Sequence, residues 1–408
     1  MRIVILGFLL AFSVGATARE DSYLKLYDAL WTTVNDNYYD PHFRGTDWAA
    51  VRVRYQQRVA SVRTDDQFQQ LAAAMLAEIP SSHLHISAPV RSQHRIGIGA
   101  DYLVLDDRVV VSRVAPLSDA YRQGLRPGMI LLSDRESLRG ELGSSATVRV
   151  EECSGTQRSL SVRRVSALWP PEHPGFRWSQ VVTGQNRKIG YMRIDRFDDG
   201  AAELADQAMQ ELGDAKALII DLRGNSGGNA SALRLNSYFA PAVEPAFVLL
   251  SRPYLAALDH PVTAADVKAA PRITGAYTTE AIMTAVSEHG GGAAFWTEAV
   301  EQRFTGPVFV LIGPDTGSAA EGFAWYMKLR TKAQLIGERT AGALLSSDSF
   351  DLPEGWSVTI PVHSIWGPDG TDFADQALTP DLQVLTHRTD LCTGRDKVAE
   401  TALDLAEK

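Results

Sequence analysis

Between residues 20 and 80, apolar residues recur at helical spacing in three runs. They are Leu24, Leu26, Tyr27, Leu30, Trp31 and Val34; then Trp48, Val51, Tyr55 and Val59; then Phe68, Leu71, Ala74, Met75 and Ile79, with Pro80 closing the third run. This pattern predicts a small helical cap. From 95 to 166 the pattern turns strand-like, with apolar runs at 109–114, 146–150 and 160–165 and a short helix that opens at Ser118 and ends at Gly124. From Lys188 strands and amphipathic helices alternate: a strand over 188–194, a helix over 201–212, a strand over 217–222 that is apolar but for Asp221, the Gly-rich turn Arg223-Gly224-Asn225-Ser226-Gly227-Gly228-Asn229, and a helix over 230–238. That order predicts an α/β layer around a parallel sheet. Residues 250–303 read as one long connection, the kind that often forms a lid or specificity loop. A strand over 308–312, a short strand over 333–337 and a hairpin over 351–361 follow.

The chain has 408 residues, which suggests two or three domains. A net charge of −9 with scattered Lys and Arg argues against a nucleic-acid partner. At the N-terminus, Arg2, an apolar run and Ala16-Thr17-Ala18 have the order of a signal peptide cleaved near Ala18. The expectation is therefore a periplasmic or secreted protein with no membrane span, because the apolar run is too short to cross a bilayer. Two cysteines, Cys153 and Cys392, are too few for a disulfide scaffold, lie in different predicted domains and lack metal-ligand spacing. An exported protein could pair them, but free buried thiols are the default expectation.

The candidate chemistry centres on Ser318. The strand over 308–312 is broken by Gly313-Pro314-Asp315-Thr316-Gly317, and helix formers begin at Ala319. Ser318 therefore sits at a strand-to-helix turn, beside the first unpaired N–H groups of a helix. That position suits a nucleophile whose oxyanion needs donors. It equally suits an ordinary N-cap. The turn at Gly227 and Gly228 lacks the ending of a P-loop and the spacing of a dinucleotide fingerprint. It is either a tight turn or an oxyanion hole in which missing side chains let N–H groups approach. In Ser81-Ser82-His83-Leu84-His85-Ile86-Ser87 the alternation suggests a strand start with both histidines on one face. They are either solvent-facing or supply a general base. No H-E-x-x-H occurs, and no metal or other cofactor is expected.

Residues 114–120 (Val-Ala-Pro-Leu-Ser-Asp-Ala) followed by Gly124-Leu125-Arg126-Pro127-Gly128 resemble a PDZ domain of the bacterial protease-associated type. Met129 stands where that family usually has Asp. The resemblance implies that Gly97, Ile98 and Gly99 form a loop binding a peptide C-terminus. Three further pieces, in order, resemble the C-terminal processing protease and tricorn protease family of serine peptidases. They are Asp221-Leu222-Arg223-Gly224-Asn225-Ser226-Gly227-Gly228, Thr316-Gly317-Ser318-Ala319-Ala320-Glu321, and Leu378-Thr379-Pro380-Asp381.

The resemblance implies a ClpP/crotonase-like α/β core over 167–408, beginning with a Trp- and Pro-rich linker over 167–176. A signal peptide (1–18), a helical cap (19–90) and an inserted PDZ-like β domain (91–166) precede it. It also implies a peptide or protein substrate and leaves a homo-oligomer open. The processing-protease branch draws its base from a Lys 25 positions after the nucleophile; here that position is Ala343. The tricorn branch uses a Ser-His pair from the cap, matched by Ser82-His83. Ser318 would be the nucleophile, His83 the base, and Gly227 or Gly228 with Ala319 the oxyanion hole. The acidic residue that orients the base aligns with Ala374, with Asp375 and Asp372 close by, and Asp375 is the favoured substitute. The competing readings are an inert family member that binds peptides or hydrophobic ligands, and a PDZ scaffold with an inert protease half.

Overall fold

The computed structural model describes residues 11–89, 96–166, 175–183 and 186–408, with side chains of the first helix from residue 22. Residues 1–10 of the expected signal segment and 167–174 of the expected linker lie outside the described residues.

The three predicted helices form as Ala11–Asn37, Trp48–Val59 and Asp65–Leu76. The first runs continuously across the expected cleavage position. Asp47 and Thr64 cap the other two by accepting the N–H groups of Ala50 and Gln67. Their apolar faces close one core that also takes in Leu345, Trp356, Val358, Ile360 and Ala374 from the far end of the chain. Phe68 meets Trp356 edge-on at 5.1 Å. The helical cap is thus docked by shared burial.

Strands Ala100–Leu105, Arg108–Val114, Ile130–Leu131, Ser145–Glu151 and Gln157–Arg163 form one antiparallel sheet with a core of its own. The helix Asp119–Arg122 falls where Ser118 predicted it, with Ser118 capping Tyr121 N–H. Ile96–Gly97 pairs with Val165–Ser166 where the chain enters and leaves this unit.

The remainder builds two six-stranded sheets. In the first, Leu382–Gln383, Gln334–Gly337, Val308–Ile312, Ala217–Asp221 and Lys188–Ile194 run parallel, and Phe176–Val182 is an antiparallel edge. This is the predicted parallel layer. The second sheet joins His85–Ser87, Ser357–Trp366, Pro245–Ser251, Gly292–Trp296 and Arg272–Ile273, with Ser346–Asp351 also paired to Ser357–Trp366.

Two expectations are corrected. The 250–303 connection is not one loop: it carries helices Arg252–Ala257, Ala264–Ala269 and Thr279–Glu288 and two strands of the second sheet. Helices of six residues and a strand of two are shorter than the windows over which periodicity can be read. The cysteines are not free either: Cys153 and Cys392 form a disulfide across 239 positions. Sequence distance hid the pairing, because only the fold brings the helix Arg388–Thr393 against the β unit. Arg388 reinforces that contact, donating to Gly128 O (2.9 Å) and Glu152 O (2.7 Å) and pairing with Glu151 (3.1 Å).

Candidate active site

The parallel strands Ala217–Asp221 and Val308–Ile312 end side by side, so the turns that follow them meet. Asp221 anchors the first turn. Its buried carboxylate accepts Arg223 N–H (3.0 Å), Arg223 Nη2 (2.7 Å), Arg193 Nη1 (3.0 Å) and Tyr191 OH (2.9 Å). Burial alone would push this carboxyl up; Arg223 and Arg193 hold it below the usual range. The Asp-Leu-Arg-Gly piece is therefore scaffold. Asn225, also buried, accepts Gly227 N–H at Oδ1 (2.8 Å), and its carbonyl accepts Gly317 N–H (3.0 Å). This bond ties the two turns together.

Gly227 has φ +116, and a Cβ there would lie 2.5 Å from Ser318 Cβ. Gly228 has φ +138, and a Cβ there would lie 1.9 Å from Phe197 O. Both need glycine on conformation and on space. Gly227 N–H is already committed to Asn225. Among the described residues, the N–H groups of Gly228 and Ala319 donate to no acceptor.

Ser318 caps the helix Ala319–Arg330 with φ 53 and ψ −126, a backbone state costing about 1–3 kcal/mol that the surroundings must sustain. Its N–H donates to Ala343 O (2.9 Å) and to Glu321 Oε2 (3.2 Å). The fully buried Glu321 also accepts Thr340 Oγ1 (2.5 Å), Gly342 N–H (2.7 Å) and Ala343 N–H (2.7 Å). Burial pushes its carboxyl above the usual range, while these donors pull it back. In the sequence Glu321 stands among the helix formers after Ser318 and closes the Thr316–Glu321 piece, with no role of its own. The signal that could have singled it out is its place three residues after an N-cap serine. Ala343, where one branch of the resembled family carries its lysine, does lie against Ser318. Lys328 is engaged elsewhere, by Thr379 O (2.8 Å) and Asp381 (2.9 Å).

His83 lies in the turn before the strand His85–Ser87, so only His85 belongs to the predicted strand, and His85 is exposed. Ser82 Oγ and His83 Nδ1 are 3.0 Å apart. Asp375 Oδ1 accepts Ser82 N–H (3.1 Å). Ala374 is buried in the core of the cap, and the left-handed residue after it, Asp375 (φ 55), brings the carboxylate to Ser82. Burial holds the His83 imidazole below the ordinary histidine range; Asp375 opposes that and His85 adds to it.

Ser318, Ala319 and Gly228 line a cavity of about 160 Å³. The rest of its wall is mostly apolar, including Leu233, Phe247, Ile282, Phe323 and Phe373. Ile282 and Met283 come from the helix Thr279–Glu288, inside the stretch first read as a loop. His83, Ser82 and Asp375 stand outside this wall. The segment 373–378 connects the two groups. Phe373 lines the cavity and stacks on Trp325 (5.0 Å), Asp375 holds Ser82, and Leu378 N–H donates to Thr340 Oγ1 (2.8 Å). The third group, Gly97, Ile98 and Gly99, lies at the edge of the β unit, with Ile98 buried and Gly99 O accepting Ala115 N–H (2.8 Å).

A serine at a strained strand-to-helix turn, beside unclaimed N–H groups in an α/β fold, is chemically suited to nucleophilic attack on a carbonyl. Residues 188–384 match the model of peptidase family S41, and residues 19–77 match the tricorn protease C1 domain. Residues 188–384 therefore form a peptidase family S41 domain, and the chain is a serine-type peptidase. It is 24% identical over 417 residues to a putative tricorn protease homolog of Streptomyces coelicolor, covering 94% of this chain but only 32% of that protein. It is also 24% identical to a carboxyl-terminal-processing protease of Synechocystis, covering 93% of this chain and 86% of that one. Among solved structures, mature CPAF complexed with lactacystin superposes with a TM-score of 0.65 at 15% identity, over 95% of this chain and 98% of that one. A photosystem II D1 C-terminal processing protease gives 0.56 at 19% identity, over 92% and 98%.

Proposed function

We propose that this peptidase cleaves peptide bonds through an acyl-enzyme on Ser318, with His83 as general base. Neutral His83 takes the Ser318 proton as the hydroxyl attacks the peptide carbonyl. The N–H groups of Gly228 and Ala319 hold the oxyanion, while Gly227 supplies clearance. His83 then protonates the leaving amine, and water releases the acyl group. Ser82 fixes the ring through Nδ1, and Asp375 fixes Ser82. The observation that carries this reading is the pair of unclaimed N–H groups beside the strained Ser318. The depressed His83 pKa adds support, because it keeps the base neutral at physiological pH.

The apolar wall beside Ser318 suits an apolar side chain next to the cut bond. The β unit is a PDZ-like domain in this reading, with Gly97, Ile98 and Gly99 receiving a peptide C-terminus. The Cys153–Cys392 bond fits an oxidising compartment and hence export. The test is hydrolysis of a quenched-fluorescent peptide library by the wild type, Ser318→Ala and His83→Ala. The reading expects turnover in the wild type and a loss of about 10⁴-fold or more in each variant. Turnover that survives Ser318→Ala overturns it.

A further inference from the structure

The cap contains a turn that helix formation does not explain. Phe43, Arg44 and Gly45 all have positive φ (48, 53 and 85), and neither Phe43 nor Arg44 adopts that state cheaply. Two things sustain the turn. Phe43 is buried between Tyr38 (5.7 Å) and Trp48 (5.8 Å). Asp40 accepts the N–H groups of His42 (2.9 Å) and Arg44 (2.6 Å). The product of this strain is the direction of one side chain. Arg44 Nη1 meets Asp375 Oδ2 at 2.5 Å, with Tyr39 OH at 3.4 Å.

Asp375 is itself in the left-handed region and has its other oxygen on Ser82 N–H. A single carboxylate is thus held from two sides, by a guanidinium from the cap and by the turn that carries the base. We propose that Arg44 is a positioning residue for the peptidase site: by gripping Asp375 it fixes the Ser82-His83 turn in the orientation the base needs. The inference rests on His83 being the base. It means that the site is assembled only when three separate segments meet, residues 40–45, 81–83 and 372–378.

The charged and titratable groups around this contact are Asp375 and Asp372 from the closing segment, Tyr38, Tyr39 and Asp40 beside Arg44, and His85 beside His83. Removing the guanidinium leaves Asp375 uncompensated and free to turn toward the imidazole, which stabilises the imidazolium.

The test is an NMR titration of the His83 ring in the full chain, assigned by loss of its signal in His83→Gln. It is paired with the pH dependence of labelling by a fluorophosphonate probe. Arg44→Met is expected to raise the His83 pKa, move the acidic limb of the labelling profile the same way, and slow labelling by about 10- to 100-fold. Arg44→Lys is expected to keep the titration close to wild type. In an Asp375→Asn background Arg44→Met is expected to add no shift. If Arg44→Met does not fold, Arg44→Gln carries the same readings. A folded Arg44 variant with unchanged His83 titration, in a protein whose wild type labels at Ser318, overturns the Arg44 assignment alone. A wild type that never labels overturns the mechanism and the assignment with it.

Discussion

Glu321 accepts the N–H of Ser318 from within the helix that Ser318 begins, at 3.2 Å. The same carboxylate gathers Thr340, Gly342 and Ala343, so the residue and the loop beside it share one buried acceptor. Glu321→Ala leaves one O–H and several N–H donors without it. The expected cost is about 3 kcal/mol in urea unfolding, with loss of Ser318 reactivity beyond what lower stability explains. Glu321→Gln, which can keep part of the network, is expected to lose less of both.

The cavity beside Ser318 sets the second expectation. Ala246 lies in its wall and is buried. Ala246→Phe fills space that a substrate side chain would occupy. The expected result is a fall of about 10-fold or more in kcat/KM for peptides with a large apolar residue before the cut, with little change for alanine there. Equal losses for both peptides would mean that the cavity is not the specificity pocket.

The order of elements was largely legible in the sequence. The strand Lys188–Ile194 and the helix Ala201–Leu212 form over the ranges their periodicity predicts, and Val308–Ile312 forms where a continuous apolar run bounded by turn residues predicts it. The 250–303 region failed for the opposite reason, since most of its elements are short and its strands pair across intervening helices. In the site, Ser318 and the glycines were readable from local turn chemistry. Arg44 was not, because an arginine in a left-handed turn leaves no pattern. Gly227 and Gly228 are equivalent in sequence; the fold separates them, by the bond of Gly227 N–H to Asn225 and by the packing of Gly227 on Ser318 and Gly228 on Phe197.

His363 provides a pH expectation for stability. It is buried, hydrogen-bonded through Nδ1 to Ser346 (3.0 Å), and desolvation pushes its pKa down to about 4. An unfolded histidine titrates near ~6.5, so between that value and 4 the unfolded state binds the extra proton. Stability is therefore full above that range and falls as the pH drops through it, by about 3 kcal/mol. Urea unfolding at pH 7 and pH 4.5 measures this, and His363→Gln is expected to flatten the difference.

The disulfide joins the β unit to the end of the catalytic half across 239 positions. Cys153→Ser with Cys392→Ser is expected to lower stability by about 2–5 kcal/mol. Because the β unit has its own core, calorimetry is also expected to resolve its unfolding as a separate step in this variant.

The central claim is that Ser318 is a nucleophile activated by His83. Intact mass and peptide mapping after fluorophosphonate treatment test it most directly. The account predicts one adduct per chain, on the peptide carrying Ser318, absent in Ser318→Ala and slowed by about 10³-fold or more in His83→Ala. Labelling at another serine, or undiminished labelling of Ser318 in folded His83→Ala, would contradict it.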